Sequence, residues 1–511
     1  MTTIQAPELE DARPPGFAAG ADPRRWLALG IIAIAQLMVV LDASIVNIAL
    51  PSAQKSLHIT DANRQWVITA YALAFGGLLL LGGRVADFIG RKRAFVVGLV
   101  GFGLASAVGG IAQNQGELFA ARALQGMFAA LMAPAALSLV TITFTAPKER
   151  ARAFAVYGGI SGGGAALGLI LGGVLTEYAS WRWTLLVNTP IALLTAVAAF
   201  IVVRESRAEG TPSYDIPGVV TSTLGLVALV YGFTKANQSG WASPSTIGLL
   251  IAAVVLLASF IVIENRTAEP LLPPRVFTES NRAGAFLVAL LSGLALFGMF
   301  LFLVYYMQGT LHYSAVKSGL AFLPFSAGIV VAAGIASNLL PRIGPRPLMF
   351  GGMAGAAVGM AWFTQIKVDS SFVTHVLPAE IVMSLGMGFA FVALSSTALI
   401  GVDDRDAGVA SALVNTTQQI GGSLGTALLN TIAASATATY VASHHGFAAQ
   451  QVGNVHGYTT AFAWGLGALI IAAIVSLVLV SKDVPAVEGN DVGNEGDETA
   501  FEYAELLAGT V

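Results

Sequence analysis

The chain has 511 residues, of which 55% are hydrophobic and 11% charged, and its formal net charge is −3. An average soluble protein carries about 25% charged residues, so this composition excludes an ordinary soluble enzyme and indicates a polytopic membrane protein. The nearly neutral charge argues against a nucleic-acid partner. The chain contains no cysteine, which excludes disulfide bonds, thiolate catalysis and Cys-ligated metal sites.

Residues 1–25 are polar and proline-rich, without the apolar core of a signal peptide, and we expect a short cytoplasmic arm. Fourteen apolar segments follow, each of roughly 20 residues, the length that spans a bilayer core about 30 Å thick. Their approximate bounds are 26–50, 65–83, 94–112, 117–144, 152–176, 183–203, 215–234, 245–263, 283–307, 317–340, 347–366, 375–400, 406–436 and 460–481. The sequence therefore predicts an all-α membrane protein with fourteen transmembrane helices.

The Lys and Arg residues give the orientation. With the N-terminus inside, 19 of the 26 Lys and Arg residues lie in the predicted cytoplasmic segments and 6 in the outer segments. Because basic residues concentrate on the cytoplasmic side of membrane proteins, we expect both termini in the cytoplasm. The protein is then a multi-pass protein of a plasma membrane, with an acidic cytoplasmic tail at 482–511.

Two pairs of segments are weakly similar at an offset of eight predicted helices. "GRVADFIGRKR" (83–93) corresponds to "GIASNLLPRIGPR" (334–346), and "ERARAFAVYGG" (149–159) corresponds to "DRDAGVASALV" (404–414). Internal repeats of this kind are common in transporters, where the substrate site lies between the repeats.

The offset predicts two six-helix bundles with a helical pair inserted between them. The N-terminal bundle is expected at 26–203, the inserted pair at 204–265 and the C-terminal bundle at 266–481. Within the last of these, we expect an outer loop at 437–459.

Three ionisable residues fall inside predicted helices: Asp42 in the first, Arg122 in the fourth and Glu380 in the twelfth. An ionised carboxylate at the centre of a membrane helix costs about 2.5–3.5 kcal/mol on insertion scales, so such residues usually have a function. We predict that all three take part in proton coupling, with Asp42 as the proton carrier. The alternatives are a static Asp–Arg pair and an aspartate that is hydrogen-bonded to the backbone.

Three glycines recur every fourth residue in the fifth predicted helix, at Gly164, Gly168 and Gly172. Such a face of small residues lets two helices approach closely, so we predict tight packing there and a hinge.

Candidate substrate-cavity residues lie in the fourth and ninth predicted helices. The ninth contains the aromatic stretch "LFGMFLFLVYYMQ" (296–308), and the predicted lining residues are Gln125, Phe297, Phe300 and Tyr305. Aromatic and methionine side chains can line an apolar pocket, but packing and lipid contact are alternative roles.

Neither a phosphate-binding GxxxxGK[ST] motif nor a zinc-binding HExxH motif is present. We therefore predict no enzyme activity, no cofactor and no metal site.

Five stretches are similar to motifs of one transporter family. They are "LDASIVNIALP" (41–51), "GRVADFIGRKR" (83–93), "RALQGMFAA" (122–130), "WRWTLLVNTP" (181–190) and "EPLLPPRVF" (269–277). Over about residues 26–481 the chain resembles the fourteen-helix drug:proton antiporter family of the major facilitator superfamily. It departs from the family pattern at Phe88, where a basic residue is usual, and at Leu169, where proline is usual.

The resemblance implies proton-driven export of amphipathic, lipophilic or cationic small molecules, including antibiotics, by alternating access. It implies proton handling by Asp42 and Arg122, and a cytoplasmic latch between the bundles. The latch would be formed by Gly83, Asp87, Gly90 and Arg91. Membrane lipids are the other expected partners. Three alternatives remain: a lipid or metabolite exporter without strict proton coupling, an uptake transporter, and a transporter-like sensor or assembly partner.

Overall fold

A computed structural model describes residues 24–144, 147–207, 215–267, 270, 272, 278–399, 404–446 and 448–481. All regular secondary structure in these residues is helical, as the composition predicted. The acidic tail 482–511, and the predicted N-terminal arm except for Arg24 and Arg25, lie outside the described residues.

The helices follow one another with short connections. Their bounds are α1 Arg25–Ser56, α2 Trp66–Ile89, α3 Arg91–Gly110, α4 Gln115–Thr143, α5 Pro147–Tyr178, α6 Trp183–Leu186, α7 Asn188–Val202, α8 Ile216–Ser239, α9 Pro244–Glu264, α10 Ser280–Tyr305, α11 Ala315–Ala321, α12 Leu323–Ile343, α13 Pro345–Phe363, α14 Leu377–Leu399, α15 Asp404–Ser443 and α16 Ala449–Leu479. Single π-helical turns, Tyr306–Thr310 and Phe372–Val376, extend α10 and precede α14.

Each of the fourteen predicted segments overlaps at least one helix. Two segments contain a pair of helices: α6 and α7 share one, and α11 and α12 share another. Within the described residues, ten helical spans are long and apolar enough to cross a membrane. The number of candidate spans rises to eleven if the bent pair Trp66–Leu79 and Leu81–Ile89 counts as one span. The total of fourteen therefore stays a prediction.

The expected loop at 437–459 is much shorter than the sequence suggested. Helix α15 continues to Ser443 and α16 begins at Ala449. The two helices still pack together in this region, where a Cβ on Gly453 would lie 2.8 Å from a methyl group of Val441. The predicted outer loop is therefore replaced over most of its length by two packed helices.

Helices α1 to α5 and α7 enclose one hydrophobic core. Its largest fully buried side chains are Phe95, Phe102 and Phe144. On one side of this core, the glycine face of α5 packs directly on α1. A Cβ on Gly164 would lie 3.1 Å from Leu37, and one on Gly172 would lie 2.8 Å from the carbonyl oxygen of Ile45.

Gly168 occupies the middle of the same face, where a Cβ would collide with the Ser44 hydroxyl and lie 3.0 Å from the Leu41 carbonyl. The predicted tight packing of the three glycines is therefore observed, because only glycine leaves room for the backbone of α1. Their role as a hinge stays a prediction.

A second core joins α10 to α16 and also includes buried residues of the first half, from α1, α2 and α4 among other helices. The inserted helices α8 and α9 pack side by side, and α8 also lies against α2 and α15. A small apolar cluster of Leu73, Leu226, Val230 and Ala427 unites these three helices. Helix α8 thus contacts both halves of the molecule.

We call the end of the molecule that holds Gly90 and Gly344 the inner end, and the end that holds Arg64 and Thr310 the outer end, following the predicted orientation. Hydrogen bonds join the two halves towards the outer end. The Thr69 and Thr426 hydroxyls lie 2.7 Å apart, and Gln308 Nε2 donates to the Ile48 carbonyl at 3.0 Å.

Arg64, at 6% exposure, is the centre of this contact between the halves. Its Nε donates to Asn430 Oδ1 at 3.0 Å, and its guanidinium lies 4.0 Å from the ring centre of Tyr305. The Tyr305 hydroxyl donates in turn to Gln54 Oε1. Arg64, Asn430 and Tyr305 were not predicted to meet, because they are far apart in the sequence.

We predict that Gly172→Ala destabilises the protein by about 1–3 kcal/mol, because the methyl group would push α1 away from α5. Gly248→Ala is the matched control. Nothing lies within 4 Å of a Cβ at Gly248, and alanine favours an exposed helix relative to glycine. The stability of each purified variant is measured as its thermal unfolding midpoint in detergent. Equal midpoints for the two variants would contradict the packing account.

Candidate functional site

Asp42 lies in the long helix α1 and is completely buried. Helices α2, α3, α4 and α7 each contribute a residue to the group around it. This group, which we call the Asp42 group, consists of Asp42, Tyr71, Ser106, Arg122, Gln125 and Asn188. Five helices therefore meet at one polar point inside an apolar bundle.

Arg122 makes the charged contact with Asp42 that the sequence allowed. Its Nη1 donates to Asp42 Oδ2 at 2.6 Å, and its Nε donates to the carbonyl oxygen of Val67 at 2.9 Å. The guanidinium carbon lies 4.5 Å from the ring centre of Tyr71. Arg122 is 1% exposed, so its charge is balanced by Asp42, a backbone carbonyl and an aromatic face.

Gln125 lies one turn further along α4, so its side chain reaches the same point. Its Nε2 donates to Asp42 Oδ1 at 3.0 Å and to Ser106 Oγ at 2.6 Å, and its Oε1 accepts from Arg122 Nη1 at 2.9 Å. The sequence analysis had assigned Gln125 to a substrate cavity. The structure instead shows it fully buried and bonded to the predicted proton-coupling pair.

Asn188 was missed as a site residue, although it lies in the motif "WRWTLLVNTP". Its Nδ2 donates to Asp42 Oδ1 at 2.9 Å, and the residue is 2% exposed. Asn188 is the first residue of α7, directly after the break that separates α6 from α7 at Val187. The sequence feature that could have identified Asn188 is a polar amide side chain inside a predicted membrane helix.

The Asp42 carboxylate thus accepts three hydrogen bonds, one of them from a cation. Donors alone surround it, which is the arrangement that stabilises an ionised carboxylate. Removing one member of a buried ion pair leaves the other charge uncompensated, which costs about 3–5 kcal/mol. The three donors therefore let the site hold a negative charge.

Glu380 lies in the other half of the molecule, in the first turn of α14. It is fully buried, and neither carboxyl oxygen has a hydrogen-bond partner among the described residues. The structure therefore does not bring Glu380 into the Asp42 group, although the sequence analysis assigned all three ionisable residues to one function.

The predicted latch residues lie at the inner end. The guanidinium of Arg91 pairs with Asp87 of its own half at 2.9 Å. A Cβ on Gly90, whose φ is +107°, would collide with the carboxylate of Glu205. That carboxylate accepts from the backbone N–H of Lys92 at 3.1 Å, an arrangement that the sequence analysis missed.

Gly83, the first latch residue, packs against α4, where its Cβ would lie 3.5 Å from Pro134. All four latch residues therefore have contacts within the N-terminal half. Their role between the two halves stays a prediction.

The three aromatic residues predicted for the substrate cavity contact different neighbours. Phe297 lies against Gly422 of α15, and Phe300 packs on Phe322 with ring centres 5.0 Å apart. Tyr305 belongs to the Arg64 contact at the outer end. None of the three has a contact with Gln125 among the described residues, so the structure does not unite the four in one cavity.

A buried charged group inside a two-bundle helical membrane protein is the arrangement of a secondary transporter. The family model of the Major Facilitator Superfamily matches residues 32–426. The chain belongs to the major facilitator superfamily, as its motifs predicted, and it is a transporter rather than an enzyme.

Two relatives illustrate the similarity. The puromycin resistance protein of Streptomyces alboniger is 51% identical over 92% of this chain and 94% of its own length. The cephamycin export protein of Amycolatopsis lactamdurans is 38% identical over 82% of this chain and 88% of its own length.

Among solved structures, a bacterial homolog of the human lysosomal transporter Spinster matches with a TM-score of 0.66. The match covers 90% of this chain and 98% of the homolog at 14% identity, and it supports the fold.

We predict strong coupling between Asp42→Asn and Arg122→Gln in a double-mutant cycle of unfolding free energies. Each single variant leaves one buried charge without its partner, whereas the double variant leaves neither. The double variant should therefore be more stable than the summed effects imply, by about 0.5–3 kcal/mol. Equilibrium unfolding in mixed micelles measures the cycle.

The control cycle uses Arg25→Gln and Glu149→Gln. These partners lie 2.8 Å apart, but their side chains are 20% and 31% exposed, so their coupling should be at most about 1 kcal/mol. Additive effects at Asp42 and Arg122 would contradict the account of a buried pair.

Proposed function

We propose that this transporter exports amphipathic small molecules, antibiotics among them, in exchange for protons and by alternating access. Membership of the major facilitator superfamily and two relatives named for antibiotic resistance or export support the export of drugs. The observation that carries the proton coupling is the Asp42 group, a completely buried carboxylate with three donors in a membrane protein.

Asp42 is the proposed proton carrier. In the present arrangement, Arg122 and two amides stabilise the ionised form. If the helices move so that Arg122 withdraws, the buried carboxylate loses its counter-charge and gains affinity for a proton. Alternation between the two arrangements would bind a proton on one side of the membrane and release it on the other.

Glu380 is proposed as a second proton site. A buried carboxyl group without a partner is far less costly as a neutral acid than as an anion. The unpartnered oxygens of Glu380 therefore fit a protonated side chain in this arrangement. Asp42 and Glu380 would then differ in charge state, one in each half of the molecule.

The hydrogen bonds towards the outer end support alternating access. Thr69 with Thr426, and Arg64 with Asn430, hold the two halves together at that end. These contacts would have to separate for the substrate to leave on the outer side. The latch of Gly83, Asp87, Gly90 and Arg91 would act at the inner end in the outward-open state.

The proposed substrates are small molecules with an apolar surface and few polar groups. The names of four relatives include puromycin, cephamycin, lincomycin and tetracenomycin C, so the proposed substrates include more than one antibiotic. Phe297 and Phe300 remain the proposed lining residues, because apolar pockets are commonly lined by aromatic side chains. The proposed location is a bacterial plasma membrane, with both termini in the cytoplasm.

We predict that puromycin or another antibiotic of this set releases protons from acid-loaded inside-out proteoliposomes containing the wild-type protein. Asp42→Asn should reduce this drug-dependent proton release to the level of protein-free vesicles, because the carrier is lost. Glu380→Gln should reduce it partially. A pH-sensitive dye in the lumen reports the proton flux, and labelled antibiotic reports the cargo.

The matched control is Asp369→Asn, the same substitution at an exposed position, which should behave as the wild type. Full proton release by Asp42→Asn would overturn the role of Asp42. Transport of labelled cargo without any effect of the proton gradient would instead favour the exporter that does not use protons.

A second prediction concerns alternating access. The chain has no native cysteine, so the pair Thr69→Cys and Thr426→Cys can be cross-linked without background. The native hydroxyls are 2.7 Å apart, close enough for a disulfide after a small adjustment. Oxidation should abolish transport, and reduction should restore it, because the outer end can then no longer open.

Two controls accompany the cross-link. Each single cysteine variant should be insensitive to oxidation. The pair Gly109→Cys and Ala121→Cys, whose Cβ atoms would lie about 3.3 Å apart within one half, should be cross-linked without loss of transport. Unchanged transport in the cross-linked Thr69 and Thr426 variant would show that the outer end does not separate during the cycle.

A further inference from the structure

When Asp42 is protonated, its carboxyl O–H needs a hydrogen-bond acceptor nearby. In the ionised state, both carboxylate oxygens accept hydrogen bonds, from Arg122, Gln125 and Asn188. When the carboxylate takes up a proton, one oxygen becomes a hydroxyl donor. A buried donor without an acceptor costs about 1–3 kcal/mol, and Asp42 has no exposure to water. One of its partners therefore has to accept.

Arg122 cannot serve as this acceptor, because a guanidinium has donors only. The amide of Gln125 is held in one orientation by two other contacts. Its oxygen accepts from Arg122 Nη1 at 2.9 Å, while its nitrogen also donates to Ser106 at 2.6 Å. Arg122 and Gln125 lie on the same helix, so this contact can persist when Arg122 withdraws from Asp42. Turning the amide would then place an N–H group against the guanidinium, where two donors would face each other.

Asn188 is free of this constraint. Its one hydrogen bond with a described side chain is the bond from Nδ2 to Asp42 Oδ1 at 2.9 Å, and no described residue donates to its Oδ1. A half turn of the amide about its Cβ–Cγ bond exchanges the positions of Nδ2 and Oδ1. The oxygen can then accept the hydroxyl of protonated Asp42 with no movement of the α7 backbone.

We propose that Asn188 is the positioning residue that lets Asp42 exist in both protonation states. Its amide donates to the ionised carboxylate and, after a half turn, accepts from the neutral acid. The proton remains on Asp42, and Asn188 carries no charge in either state. This inference rests on the proposed function, in which Asp42 binds and releases a proton.

The other groups facing Asp42 fit this assignment. Arg122 of α4 supplies the fixed positive charge. Tyr71 of α2 is the remaining titratable neighbour; its ring lies against Arg122, and its hydroxyl has no hydrogen-bond partner among the described residues. Since Tyr71 is not bonded to Asp42, it does not replace Asn188 as the acceptor in this arrangement.

Infrared difference spectra between acidic and alkaline pH test the proposal directly on the purified protein. The wild type should show a protonated carboxyl band that Asp42→Asn lacks. Asn188→Leu should move this band to higher frequency, because the acid no longer donates to an amide, and it should lower drug-dependent proton release. Asn188→Gln keeps an amide, so the frequency of the carboxyl band and the drug-dependent proton release should both return towards the wild-type values.

A second measurement uses the wild-type sequence and so does not depend on the folding of a variant. Protein labelled with carbon-13 at the asparagine side-chain carbonyl should show an amide band that shifts together with the carboxyl band. The shift should be absent in labelled Asn188→Gln. The control Asn338→Leu, whose native amide bonds to its own helix, should leave the carboxyl band unchanged.

The outcomes separate this inference from the proposed function. A carboxyl band that depends on Asp42 but is unchanged in Asn188→Leu would overturn the role of Asn188 and leave Asp42 as the carrier. A spectrum of Asp42→Asn identical to that of the wild type would overturn the proton site itself. A shift of the band in Tyr71→Phe, and none in Asn188→Leu, would assign the acceptor to Tyr71.

Discussion

The charge of Asp42, buried inside an apolar helix bundle, is the constraint on which the arrangement of the N-terminal half depends. An isolated carboxylate there would be unstable, so α4 and α7 supply groups that bond to it, while α2 and α3 contact those groups. Arg122 neutralises the charge through Oδ2, and Gln125 and Asn188 both donate to Oδ1. The glycine face of α5 brings a fifth helix against α1 without adding any polar group.

The contacts between the two halves are of a different kind. At the outer end, Thr69 meets Thr426, and Gln308 meets a backbone carbonyl. Each such neutral hydrogen bond contributes only about 0.5–1.5 kcal/mol, and both partners can bond to water after separation. Apolar packing also joins the halves, since one buried cluster contains residues of both, and Arg64 adds a buried charged contact. The Asp42 group, in contrast, lies inside one half and is held by a desolvated ion pair.

The inserted pair of helices adds a second constraint on any movement between the halves. Helix α8 lies against α2 of one half and α15 of the other, and hydrogen bonds connect it to both: Gln65 donates to Thr234, and Thr431 donates to the carbonyl of Phe233. Any change in the angle between the halves must therefore alter at least one face of α8. The two-bundle architecture alone would not impose this condition.

The sequence by itself determined the all-helical membrane class, the family and the presence of Asp42 and Arg122 inside helices, because hydropathy, motifs and the position of a charge in an apolar segment are local properties. Only the tertiary structure decided which residues meet. It placed Asn188 on Asp42, moved Gln125 from the predicted substrate cavity into the same group and left Glu380 apart. These pairings join helices up to 146 positions apart, and their rotation and depth depend on packing that no local pattern encodes.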